Sequence, residues 1–202
     1  MMDKRDVVLQ RVCPIVAMPK FSPLEPLAQN GERIVMAANG TFLEVRRSWA
    51  RFVRKVGEVN TVVPFGTLEE STTYFTPKLP RELLQEFIQW ARQDSHVEIG
   101  ANIVWNEVSQ QFRLVRSGTV HGTRSSLDYK IPDLDPNEQI VIDCHSHSTG
   151  KAFFSSTDNK DDADAVKIAF VVGHCHLPQQ SVKMRLCIRG QFTILQFQLD
   201  TP

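Results

Sequence analysis

Residues 139–164 read QIVIDCHSHSTGKAFFSSTDNKDDAD. The apolar run from Gln139 to Cys144 suits a buried strand, and it leads directly into His145-Ser146-His147. Alternate residues of an extended backbone share a face, so the two imidazoles project together as a chelate. Asp158 follows His147 by eleven residues, after a turn, and can bring a carboxylate oxygen to the same ion. Two histidines and one aspartate are three protein ligands. They leave the fourth tetrahedral position of zinc open to water, the arrangement of a catalytic rather than a structural site, although the same donors also suit iron. Ser155, three residues before Asp158, can present a hydroxyl beside the metal as an oxyanion donor. A general base must come from elsewhere in the chain. Cys144 points to the face opposite His145 and reads as a core thiol.

Around this stretch the pattern is mixed. Pro80 suits the first turn of a helix, and Leu83, Leu84, Phe87, Ile88 and Ala91 recur at helical spacing, which predicts an amphipathic helix over Pro80 to Gln93. Val97 to Trp105 and Phe112 to Arg116 read as a strand pair joined by the Asn106 to Gln111 turn. Residues 119–138 are polar, with Pro132 and Pro136, and predict a long loop that is functional or mobile. An acidic run, Asp158, Asp161, Asp162 and Asp164, begins a short helix, where the dipole favours acid, and Asp161, Asp162 and Asp164 read as its charged first turn rather than as extra ligands. Ile168 to Val172, Val182 to Ile188 and Phe192 to Leu199 read as strands, with Gly190 turning between the last two. In His174-Cys175-His176 the imidazoles share a face but lack a third partner, so the triplet reads as structural or solvent-facing. His121 has no identifiable partner, and Trp49, Trp90 and Trp105 read as core or interface residues.

The segment before Lys78 reads as short strands and turns. Pro14, Pro19, Pro23 and Pro26 favour an extended or edge segment. Ala38-Asn39-Gly40-Thr41 is a hairpin turn between Ile34 to Met36 and Phe42 to Val45. Trp49, Phe52 and Val53 suggest a short amphipathic element, and Val62 to Phe65 and Thr72 to Phe75 two more strands. The expected organisation is a small hairpin-rich domain over 1–78 and a second domain over 79–202.

Composition narrows the function. With 42% hydrophobic residues among 202, a disordered chain is excluded. The 23 basic and 23 acidic residues cancel, so nucleic acid is not an expected partner. The longest uncharged apolar stretch, Ile168 to Pro178, is about half the roughly 20 residues of a membrane helix. No membrane association is expected. Asp3, Asp6 and Arg11 interrupt the apolar N-terminal run, which argues against a secretory leader and for a cytoplasmic protein. Cys13, Cys144, Cys175 and Cys187 form no CxxC pair and read as reduced, mostly buried thiols.

The spacing His145-x-His147-x7-Ser155-x2-Asp158 resembles the signature of the JAMM metalloproteases, the catalytically competent branch of the MPN-domain family, and the likeness extends over Leu79 to Leu199. The resemblance implies an α+β fold (an α/β-type sandwich) in which a mixed sheet is flanked by helices, here preceded by a small mostly-β domain. It implies Zn2+ held by His145, His147 and Asp158. It further implies a glutamate on the first strand after the leading helix as the base, and Glu98 occupies that place. Glu107 is its rival, but its turn position suits a solvated residue. Ser155 would hydrogen-bond the scissile carbonyl oxygen. The implied activity is hydrolysis of an isopeptide or peptide bond at the end of a ubiquitin-like modifier, with E1-like and E2-like proteins as further partners, and the 119–138 segment falls where conjugate-cleaving members clamp the modifier tail. The hairpin-rich leader, the HSHSTGKAFFSSTDNKDDAD run and the later LCIRG are similar to the bacterial PRTRC system group of this family. Two positions depart from the family pattern: Ala101 stands where members commonly have glycine, and Ser148 where many have proline. The alternatives are a non-catalytic MPN-type scaffold and a general metal-dependent amidohydrolase or peptidase.

Overall fold

Short apolar runs broken by turn residues give sheets in both halves of the chain. The structure, a computed structural model, describes residues 3–122, 127–130 and 133–196. The chain divides into two units, Met1–Pro77 and Lys78–Pro202.

The first unit opens with a helix where strands and turns were expected. Helix α1, Lys4–Val12, is capped by Asp3, whose side chain accepts from the Arg5 amide. It stops at Cys13, because Pro14 disfavours helical backbone in the residue before it. Strand β1 (Ile15–Ala17) then runs parallel to β2 (Gly31–Ala37), followed by β3 (Gly40–Arg46), β4 (Ala50–Gly57) and β5 (Ser71–Tyr74), in the spatial order β1-β2-β3-β4-β5. The expected β2–β3 hairpin forms, but it turns at Ala38 and Asn39, one residue before the expected Asn39-Gly40 centre, because Gly40 already pairs with Ala37. Gly40 follows with φ +151°, and a Cβ there would lie 2.9 Å from the Gly57 carbonyl oxygen. Trp49 to Val53 is not a separate amphipathic element but leads into β4. Val62 to Phe65 forms no strand: Pro64 lacks a donor for a ladder, and only Gly66 beyond it pairs, with Met18 and Ala38. Val35, Ala37, Phe42 and Val53 form the buried core of one sheet face. Fully buried Glu44 is held there by Arg33 at 2.5 Å, Arg51 at 2.6 Å and the Leu27 amide at 3.1 Å.

The second unit is an α+β arrangement. Helix α2 (Arg81–Gln93) buries Leu84, Phe87, Ile88 and Ala91, and Phe87 meets Phe170 edge-on with ring centroids 6.4 Å apart. There follow β6 (Gly100–Asn106), β7 (Gln111–Arg116), β8 (Gly118–Gly122), β9 (Leu127–Lys130), β10 (Glu138–Ser146), helix α3 (Ser156–Asp161), β11 (Val166–Gly173), β12 (Ser181–Ile188) and β13 (Gln191–Leu195). The main sheet has the order β13-β12-β11-β10-β6-β7 and is antiparallel except for β10 beside β11. The expected long loop over 119–138 instead contains an antiparallel pair, β8 with β9, while the side chain of His121 and all of Pro132 lie outside the described residues. The tail of the last expected strand, 197–199, is also outside them. The turn before β13 uses Arg189 (φ 46°) and Gly190 (φ 82°), the left-handed pair that a tight hairpin requires. No helix among the described residues is long and apolar enough to cross a membrane.

Because β10 and β11 are parallel, the chain must cross over between them, and the crossover, 147–165, lies against the end of β11. At Gly173 an added Cβ would stand 2.2 Å from the Ala152 nitrogen and 2.5 Å from the Gly150 oxygen. All of these obstacles are backbone, so Gly173→Ala is expected to destabilise the protein by about 1–3 kcal/mol. Gly118→Ala, with nothing within 4 Å, should stay within about 0.5 kcal/mol. Urea unfolding of the two variants checks this, and equal stability would contradict the close crossing.

Candidate metal centre

The two histidines occupy the end of β10. His145 pairs with Val171 in the ladder, and the His147 amide donates to the Val172 carbonyl at 2.8 Å, so extended backbone continues through both residues. Their Nε2 atoms are 3.2 Å apart. His147 Nδ1 lies 3.2 Å from the Lys151 carbonyl oxygen. That oxygen can only accept, so Nδ1 carries the proton and Nε2 presents its lone pair to the site. Phe153 packs edge-on against the same ring, with centroids 4.6 Å apart.

Asp158 comes from the first turn of α3. Ser155 is the N-cap, and the two residues form a reciprocal capping box: the Asp158 amide donates to Ser155 Oγ at 3.1 Å and the Ser155 amide to Asp158 Oδ2 at 2.6 Å. This leaves Oδ1 to face His145 Nε2, at 3.4 Å. The donor atoms of His145, His147 and Asp158 all lie within 4.8 Å of one another. A tetrahedron with bonds of about 2.0–2.1 Å has edges near 3.3 Å. The 3.2 and 3.4 Å separations match that edge, so the residues present fit a four-coordinate metal ion.

Glu98 precedes β6, which begins at Gly100 and not at Val97. It is placed by its neighbour: Ile99 donates to Ser146 Oγ at 3.0 Å and accepts from the Ser146 amide at 2.9 Å. Ser146 sits between the histidines, so this double bond sets Glu98 next to them in the fold. Ser148 adds a second tie, its hydroxyl donating to the Ser95 carbonyl at 2.7 Å. Ser148 has φ 49°, a backbone angle that proline cannot adopt. Ala101, the other departure, is buried within β6. Glu107 is exposed in the β6–β7 turn.

The remaining residues sort by burial. Cys144 is fully buried, and burial pushes its thiol well above the ordinary range. Cys175 is also buried, and burial followed by the charge of Glu98 raises its thiol to about 11. Its amide donates to the carbonyl of Ser148, the residue after His147, at 2.8 Å, which brings it to the edge of the site. That proximity was not visible in a triplet whose histidines drew attention; His176 is exposed and His174 half-buried with φ 53°. The acidic run is also different from expectation. Asp158 alone of the four lies in the first turn of α3, whereas Asp161 ends the helix and Asp162 is its buried C-cap.

Burial pushes the Asp158 carboxyl up, but His145 and the two Ser155 hydrogen bonds outweigh it, and the net direction is down. Burial also lowers His145, against the opposing pull of Asp158. Glu98 goes the other way: burial and then the negative charge of Asp158 raise it from 4.5 to about 7. A carboxyl raised on folding binds its proton more tightly in the native state, so the metal-free protein loses stability as pH climbs from 4.5 through 7. The full loss is of order 3 kcal/mol. Metal-free Glu98→Gln is therefore expected to melt above wild type at pH 8 and level with it at pH 4.5. A difference that does not grow with pH would contradict the buried placement.

Two family profiles match the chain. A domain of unknown function, DUF2016, matches residues 3–74, and the prokaryotic homologs of the JAB domain match residues 80–187. No curated protein matches it. The second match takes in α2, the sheet strands through β12 and every residue of the metal centre, and spans more than half of the 202 residues. The chain thus belongs to the family of prokaryotic homologs of the JAB domain.

Proposed function

We propose that the second unit is a Zn2+-dependent isopeptidase or peptidase that removes or trims a ubiquitin-like modifier. The observation that carries this reading is the clustering of three donors, with His145 Nε2 at 3.2 Å from His147 Nε2 and 3.4 Å from Asp158 Oδ1, and no fourth protein donor grouped with them among the described residues. Zinc bound there supplies Lewis acidity, activating water and polarising the scissile carbonyl. Glu98 takes a proton from the attacking water and later delivers it to the leaving amine. Its raised affinity for a proton, near 7, suits a group that must both accept and donate at neutral pH. Ser155 uses its oxygen to cap α3, so its hydroxyl proton remains available to bond the carbonyl oxygen as charge develops there.

The JAMM-like spacing together with the family match supports the choice of a modifier as substrate, and E1-like and E2-like proteins are the proposed companions of the reaction. Free cysteines, three of them buried, accord with a reducing cytoplasmic location.

The direct test is intact-mass analysis of a ubiquitin-like protein bearing a C-terminal extension, incubated with the full chain. Cleavage after the modifier's terminal residue is expected with zinc, abolished by chelator and slowed about 10²- to 10⁴-fold by Glu98→Gln. Turnover of short peptides with no modifier fusion cleaved would indicate a general peptidase. Zinc binding with no hydrolysis of either substrate would leave a scaffold.

A further inference from the structure

Helix α3 carries a metal ligand yet has little to hold it. It spans six residues and buries none of them, and so short a segment is not stable by its own backbone bonds. The capping box fixes its start. Three of its further contacts come from one side chain of the sheet, Arg185 of β12.

Arg185 is only 3% exposed. Its Nη1 donates to Asn159 Oδ1 at 2.5 Å, and its Nη2 to Asp162 Oδ2 at 2.7 Å. Its guanidinium is stacked between Phe154 and Phe192, 4.0 and 4.1 Å from the ring centres. Phe154 precedes the N-cap, Asn159 follows Asp158 and Asp162 is the C-cap, so one planar cation holds the helix along its whole length. Asp162 is tied further into the sheet: its Oδ1 accepts from Lys167 at 2.8 Å, and Lys167 also bonds Asp143 at 2.5 Å. Asp143 lies two residues before His145, and Asp143, Ala169 and Arg185 form one cross-strand row over β10, β11 and β12. Two acids and two bases thereby connect the strand that presents the histidines to the helix that presents the aspartate.

We infer that Arg185 is a positioning residue for the metal centre: through Asn159, Asp162 and Phe154 it sets the height of α3 and therefore of Asp158 relative to His145 and His147. This rests on reading those three residues as metal ligands. Removing one partner of a buried ion pair leaves the other charge uncompensated and destabilises the fold, so metal affinity and folding are read separately, and the positioning role is the loss of affinity that a comparable loss of stability elsewhere does not cause.

The test is Zn2+ affinity of the full-length protein, measured by competition with a chromophoric chelator, alongside thermal unfolding of each metal-free variant. Arg185→Met is expected to weaken zinc about 10- to 100-fold, as loss of an outer-shell partner does. Arg185→Lys, which keeps the charge but not the planar fork, should restore only part of that loss. Asn159→Ala changes an exposed position and removes a single anchor; a weakening of about threefold or more is expected, and it carries the test if Arg185→Met does not fold. Ile103→Val, in the buried core of β6, lowers stability away from the site and should leave zinc affinity unchanged. Binding by Asn159→Ala and any folded Arg185 variant within about twofold of wild type, or an equal loss in Ile103→Val, would overturn the inference. Wild type that fails to bind zinc would overturn the metal reading and this inference with it.

Discussion

Strand β10 pairs antiparallel with β6 on one side and parallel with β11 on the other, and a parallel neighbour cannot be reached by a tight turn. The chain must leave the end of β10, travel the length of the sheet and enter β11 from the far side. The site is a product of that detour. His145 and His147 stand where the chain departs, α3 lies on the return path, and Glu98 sits at the start of the segment feeding the antiparallel neighbour. Functional groups gather at the carboxyl ends of parallel strands for this geometrical reason.

Around that constraint the residues are arranged at some cost to stability. Glu98 is only 8% exposed and lies within the field of a second carboxylate, Asp158. Such a group weakens the metal-free fold and suits proton transfer at neutral pH, and the same burial serves both effects. Asp158 is treated differently although it is nearby. Its Oδ2 is engaged by the capping box, which keeps the carboxylate charged and leaves Oδ1 toward His145. Two carboxyls with opposite shifts suit separable roles, the proposed ones being metal binding for Asp158 and proton exchange for Glu98.

Much of this was legible in the sequence wherever the signal was local. The His-x-His at a strand end, the helical spacing of Leu84, Phe87, Ile88 and Ala91, and the existence of the β2–β3 hairpin, though not its exact turn residues, each follow from residues a few positions apart. Helix α1 was missed because it buries nothing and its apolar residues carry no clear periodicity; only Asp3 and Pro14 mark its ends. Val62 to Phe65 has strand composition without a strand partner, and composition alone does not provide one. Asp162 was the least legible. In the sequence it is one of four acids in a run, while in the fold its partners come from 23 positions away at Arg185 and from Lys167. Ser148 shows the same limit, since its left-handed backbone and its bond to Ser95 belong to the tertiary structure.

The central claim is that two imidazoles and one carboxylate from this chain hold a metal ion. X-ray absorption at the zinc edge on the zinc-loaded full-length protein tests it most directly. The expected spectrum has four nitrogen or oxygen neighbours at about 2.0–2.1 Å, with multiple scattering from two imidazoles and no sulfur. A sulfur neighbour at about 2.3 Å, which would point to Cys175 in place of Asp158, or a shell without imidazole scattering, would contradict it.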